Sequence, residues 1–103
     1  MIPAPLFLAQ AILIQSASVF DGTGALPKTA DVLINGSVIE RVAPSIAAPA
    51  GARVVDGRGK MLLPGLHDLH THVPYSTVGG AASDWGKNLN AYLRSGVTTL
   101  ADF

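Results

Sequence analysis

Leu63-Pro64-Gly65-Leu66-His67-Asp68-Leu69-His70-Thr71-His72-Val73 carries all three histidines of the chain, directly after a Pro-Gly break. Leu66 to Val73 reads as a strand. Side chains two apart on a strand point to the same face. Asp68, His70 and His72 therefore share one face, and His67, Leu69 and Thr71 share the other. Strand rise puts His70 and His72 about 7 Å apart at Cα, close enough for both imidazoles to reach one ion above the strand's end through bonds of about 2 Å. The other reading is a pair of hydrogen-bonded core histidines. It requires separate polar partners for each ring, at about 1–3 kcal/mol for each group left unsatisfied. Taken by itself the pair favours a metal only modestly, and the flanking sequence adds weight.

Downstream, Pro74 to Ala82 is a Gly/Ser/Ala loop. Asp84 to Arg94 fits a helix, with Ser83 or Asp84 as its cap and Gly96 where a left-handed residue ends it. Trp85, Leu89, Tyr92 and Leu93 fall at i, i+4, i+7 and i+8, one apolar stripe that reads as a packing face rather than a cofactor contact. Val97 to Phe103 is a β-branched strand. Strand, helix and strand in this order make a βαβ unit, and with it a parallel sheet begins.

Upstream the character is different. Ala11 to Ala17 is rich in β-favouring residues, Asp21-Gly22-Thr23-Gly24 is turn material, and Ala30 to Ile34 is a second strand. Asn35-Gly36 is a strong hairpin signal because both residues tolerate positive φ, and Val38 to Val42 returns as a third strand with Glu40 and Arg41 suggesting a solvated face. After the Ala/Pro loop of residues 44–51, Arg53 to Val55 and Met61 to Leu63 are short strands around the turn Asp56-Gly57-Arg58-Gly59. Three stretches follow: a tail at residues 1–10, a β-domain portion at 11–64, and the start of an α/β unit at 65–103. The tail holds a short apolar run before Ala9-Gln10-Ala11, which has the small-x-small form of a signal-peptidase site but no basic segment before it. It is either the remnant of a secretory signal or a plain N-terminus, so cytoplasmic and secreted or periplasmic locations both stay open. Pro3, Pro5, Gln10, Gln15, Ser16 and Ser18 interrupt any membrane-spanning run.

The residues on both sides of the histidines resemble the amidohydrolase superfamily. Leu63-Pro64-Gly65-Leu66 followed by Asp68-x-His70-x-His72 looks like that family's entry into its first barrel strand, and Gly96-Val97-Thr98-Thr99 resembles its second-strand signature. Val19-Phe20-Asp21-Gly22-Thr23-Gly24, the Asn35-Gly36 hairpin and Val55-Asp56 match its small N-terminal β-sandwich. Within the superfamily the upstream pattern looks most like the imidazolonepropionase-like hydrolases and Xaa-Pro dipeptidases. The resemblance implies an α/β fold in which a β-sandwich portion precedes the first βαβ unit of a metal-bearing (β/α)8 barrel. It implies hydrolysis of a carbon–nitrogen bond in a small-molecule amide or cyclic amide, with a divalent metal, zinc foremost, as one or two ions. His70 and His72 would be metal ligands. The family's lysine or glutamate ligand, its two further histidines and its catalytic aspartate have no matching position in this segment, and Lys60 and Lys87 lie in the wrong elements. Asp68 would either orient a histidine or cap the barrel floor. Asp102 would support the site or touch substrate, or serve as a helix N-cap. His67 would be structural. The alternative implied by some relatives is a non-catalytic binding or assembly module, which has no need to keep metal ligands, and a third reading is an inactive fragment.

Composition sets bounds on these readings. Charged residues are 14% and hydrophobic residues 49%, against about 25% charged in ordinary soluble domains. So small a domain with so little charge leaves apolar surface that other protein would normally cover. Seven basic and seven acidic residues cancel, which leaves no electrostatic footprint for nucleic acid or an anionic membrane. The absence of cysteine excludes a disulfide scaffold and a thiolate metal site. Residues 1–103 expressed alone should associate through exposed apolar patches, bind zinc weakly and show no amide hydrolysis. Size distribution, zinc titration and turnover check this, and a monodisperse, tightly zinc-binding, active monomer would contradict it.

Overall fold

The computed structural model describes residues 10–73 and 85–103. The expected tail before Gln10, the Gly/Ser/Ala loop from Pro74 and the caps at Ser83 and Asp84 lie outside the described residues. The chain divides at Pro64/Gly65 into two compact units.

The first unit contains β1 (Ile12–Val19), β2 (Lys28–Asn35), β3 (Val38–Ala43), β4 (Arg53–Asp56) and β5 (Met61–Leu62). They form one five-stranded sheet in the order β3-β2-β1-β4, with β5 also pairing β1. The β1–β2 and β2–β3 pairs are antiparallel, and β4 and β5 run parallel to the two halves of β1. Between them the turn of residues 57–60 bridges a break in β1. Gly57 is required there, because a Cβ would come within 2.8 Å of both the Ala17 Cβ and the Gln15 carbonyl oxygen. On the same turn, Arg58 pairs with Asp56 at 2.6 Å and holds its exposed carboxyl at about 2.

The break is a β-bulge. Ile14 pairs with Val32 and Ala17 with Ala30, so Gln15 and Ser16 together face Asp31. Ser16 takes a φ of 57°, a left-handed conformation that costs an L-residue about 1–2 kcal/mol. The offsetting contact is the Asp31 carboxylate, 4% exposed. Its Oδ1 accepts the Ser16 N–H at 2.8 Å and its Oδ2 accepts the Ile46 N–H at 2.8 Å. The extra residue reverses the in–out alternation. Leu13 and Ala17 are thus both fully buried on opposite faces, Leu13 among Leu33 and Ile46, Ala17 beside Ala30 and Gly57.

The hairpin differs from the sequence expectation in detail. Asn35 still pairs, with Val38, so the two turn residues are Gly36 and Ser37. Only Gly36 has positive φ, at 60°, which is the pattern of a turn with glycine first rather than of an Asn-Gly turn. β3 is exposed almost throughout. Val38, Ile39, Val42, Met61 and Leu63 are 45–66% exposed, an apolar surface that no described residue covers.

The second unit is β6 (Leu66–Thr71), α1 (Trp85–Arg94) and β7 (Val97–Asp102), with β6 and β7 parallel and adjacent. β6 is two residues shorter than the sequence suggested, because His72 and Val73 turn away from the ladder. Gly96, at φ 87°, ends the helix, and its carbonyl receives the Leu66 N–H at 2.8 Å, which sets the strand register. Gly65 cannot carry a side chain, since a Cβ would overlap the Thr98 side chain. The helical stripe exists but is not a covered packing face among the described residues. Trp85, Leu89 and Leu93 are 44–60% exposed and no residue of α1 is buried, because a two-stranded sheet offers the helix little surface. No described helix is long and apolar enough to cross a membrane.

Asp31→Asn should destabilise the protein by about 1–3 kcal/mol, since an amide nitrogen would replace one of two required acceptors. A lower denaturant midpoint at unchanged slope is the expected result.

Candidate metal centre

The βαβ unit places β6 and β7 side by side with their C-terminal ends together, and in such a unit the residues just beyond those ends can meet. His72 and Phe103 do so. The Phe103 N–H donates to the Thr71 carbonyl at 3.1 Å, carrying the parallel ladder one step past the last paired residues. His72 Nδ1 then lies 2.7 Å from the Phe103 main-chain oxygen. That oxygen can only accept, so Nδ1 carries the proton and Nε2 of the neutral ring presents its lone pair.

His70 Nε2 lies 3.2 Å from His72 Nε2, with the ring centroids 5.0 Å apart and the planes at 78°. Both rings are exposed. Two arrangements satisfy this spacing: His70 can donate an Nε2–H into the His72 lone pair, or both lone pairs can face one cation. The second fits well in distance. Nitrogens bound at about 2.0–2.1 Å to one tetrahedral ion stand about 3.3–3.4 Å apart. The imidazole donor set suits zinc and its neighbours among the divalent transition metals. An Nδ1–H bonded to a main-chain oxygen is also the usual support of a ligating histidine, because it fixes the tautomer and raises ligand basicity. The residues present therefore fit a divalent metal as two of its ligands. Among the described residues no group of three or more His, Asp or Glu side chains comes together around an ion.

The other candidates take distinct places. β6 carries one extra residue between Asp68 and Thr71 relative to β7, so simple alternation does not extend from Asp68 to the histidines. The Asp68 carboxylate accepts the main-chain N–H of His70 at 3.2 Å. Asp102 Oδ1 accepts the Val73 N–H at 2.8 Å, tying down the residue that follows His72. His67 is exposed, on the register position paired with Thr99. Thr71 is buried, and its hydroxyl donates to the Ala101 carbonyl at 3.2 Å.

Two residues of this site escaped the sequence reading. The Phe103 ring stacks on His70, centroids 4.8 Å apart at 22°, while its main-chain oxygen holds His72. Asn88 of α1 donates through Nδ2 to the Val73 carbonyl at 2.7 Å. A main-chain acceptor has no side-chain signature, and an asparagine on a polar helix face looks like a solvated one. The position of Phe103 at the end of the partner strand was the one available signal.

No protein-family model matches the chain. Among curated proteins it is 49% identical over 61 residues to a dihydroorotase of Streptomyces coelicolor, covering 59% of this chain and 13% of that protein. It is 32% identical over 81 residues to a dihydropyrimidinase of Rattus norvegicus, covering 74% and 16%. Among solved structures, a D-hydantoinase superposes with a TM-score of 0.76 at 27% identity, over 91% of this chain and 20% of that one. A prolidase complexed with N-methylphosphonate-L-proline gives 0.73 at 26%, over 90% and 26%. The chain thus spans about 15% of the length of the curated relatives it matches. Sequence and fold agree on the class, and the chain is similar to proteins of the amidohydrolase superfamily. Its second unit has the strand–helix–strand order with which the barrel of such proteins opens.

In the full-length protein, His70→Ala and His72→Ala should each remove most bound divalent metal, and His67→Ala should remove little. Metal content of the three purified variants measures this. Equal loss in all three would refute the assignment of the pair.

Proposed function

We propose that the protein containing this chain is a metal-dependent hydrolase of carbon–nitrogen bonds, with cyclic amides as its substrate class. The observation that carries this reading is the approach of His70 Nε2 to His72 Nε2 at 3.2 Å, at the C-terminal end of a parallel strand. Active sites of parallel α/β barrels lie at that end. Support for cyclic amides comes from the relatives, which include a dihydroorotase, a dihydropyrimidinase and a D-hydantoinase.

In this reading His70 and His72 hold the ion and do not touch substrate. A divalent cation bound there supplies Lewis acidity to a scissile carbonyl and to water. The contribution of this chain is preorganisation. Phe103 keeps the His72 proton on Nδ1, Asp68 holds the main chain of His70, and Asp102 holds the main chain after His72. Each bond is made before substrate arrives, so no reorganisation of the ligands is needed during the reaction. The same preorganisation weighs against a non-catalytic assembly module, for which a fixed histidine tautomer would have no use.

The test is hydrolysis by the full-length protein of a panel containing dihydrouracil, hydantoin, dihydroorotate and an acyl-proline dipeptide, before and after removal of metal by a chelator. Ring opening of at least one cyclic amide, lost on chelation and restored by zinc, is expected. Turnover that survives complete metal removal would overturn the reading.

A further inference from the structure

The residue after His72 is held from both sides. Val73 is 3% exposed. Its N–H donates to Asp102 Oδ1 from the end of β7 at 2.8 Å, and its carbonyl accepts from Asn88 Nδ2 on α1 at 2.7 Å. The amide orientation of Asn88 is unambiguous, because a carbonyl can only accept and the nitrogen must face it. Two elements far apart in sequence thus grip one peptide unit each side of Val73.

Among the described residues, packing does not enclose the His72 ring itself. The ring is exposed and borders an open cavity of about 180 Å³, lined also by Val73, Asn88, Ala91 and Tyr92. Its direction is therefore set by hydrogen bonds and by the main chain that carries it. The Nδ1 bond to the Phe103 oxygen depends on where that main chain lies. If the main chain after His72 shifted by an ångström, the 2.7 Å bond would lengthen out of range. The ring could then take either tautomer.

We propose that Asn88 is a positioning residue for His72, acting with Asp102 through Val73 to keep the His72 proton on Nδ1 and its Nε2 lone pair aimed beside His70. The inference rests on the metal reading above for its purpose, but the tautomer can be observed without metal. Asn88 touches neither ion nor substrate in this arrangement. It couples the helix of the βαβ unit to the strand end, so the ligand's direction depends on how α1 lies on the two strands.

The experiment uses the full-length protein and two readouts. One is the set of imidazole ¹⁵N shifts of His72 in metal-stripped protein, which report the tautomer. The other is zinc affinity by competition with a chromogenic chelator. Asn88→Asp keeps the shape and loses the donor, and Asn88→Ala loses both. Each should move the His72 signals from a single Nδ1–H form toward a mixture and weaken zinc binding by about 10–100-fold. Asp102→Ala should do the same, because the Val73 N–H loses its acceptor. Wild-type His72 signals in Asn88→Asp would overturn the proposal, even with reduced stability, because a merely structural asparagine would leave the tautomer alone. Tautomer changes as expected in a protein that binds no zinc would leave the clamp in place and defeat the metal reading instead.

Discussion

A single hydrogen bond, from His72 Nδ1 to the main-chain oxygen of Phe103, decides what the C-terminal ends of β6 and β7 can do chemically. It requires that the two strands be parallel and neighbouring, since only then do residues 31 apart in sequence end at one place. It requires the register fixed by the Leu66 N–H on the Gly96 carbonyl and by the absence of a side chain at Gly65. It also puts the lone pair on Nε2, the nitrogen that faces His70. A histidine whose Nδ1 were free could place its proton on either nitrogen, and its encounter with His70 would be a fluctuating hydrogen bond.

The site is built mainly from main-chain groups. The oxygen of Phe103, the N–H and carbonyl of Val73 and the N–H of His70 all take part, with Asp68, Asp102 and Asn88 as the side chains that grip them. Main-chain atoms of a paired strand move little, so a site hung on them inherits the rigidity of the sheet. The ring of Phe103 adds a nearly parallel face against His70. One residue therefore restrains both histidines, one through its peptide and the other through its side chain.

Much of this was legible beforehand, for identifiable reasons. Strands and helix follow from β-branched runs, from the stripe of Trp85, Leu89, Tyr92 and Leu93, and from the left-handed glycine at Gly96. The convergence of His70 and His72 follows from their spacing near a strand end. The bulge in β6 did not show, because nothing in Asp68-Leu69-His70-Thr71 departs from strand composition, so the shared face claimed for Asp68 could not be checked from alternation. The bulge at Ser16 was equally silent, since serine is unremarkable in a strand until its φ is known. Asp31 sits in an apolar run, Ala30 to Ile34, and its burial depends on two N–H groups contributed by Ser16 and Ile46. The exposed apolar surface around Ile39 and Val42 agrees with the low charge fraction.

The extra residue at Ser16 also acts as a phase shifter. Upstream of it β1 sends odd-numbered side chains to the Leu33–Ile46 face, and downstream of it odd-numbered side chains go to the other. The two parallel partners, β4 and β5, each read one phase, and the turn of residues 57–60 passes over the seam. Losing one of the two residues that face Asp31 would restore one-to-one pairing and leave Leu13 and Ala17 on their own faces. Straightening the strand with both residues kept would instead turn one half over and expose either Leu13 or Ala17. The two faces of the strand are therefore set by one extra residue, held at one serine by one buried aspartate.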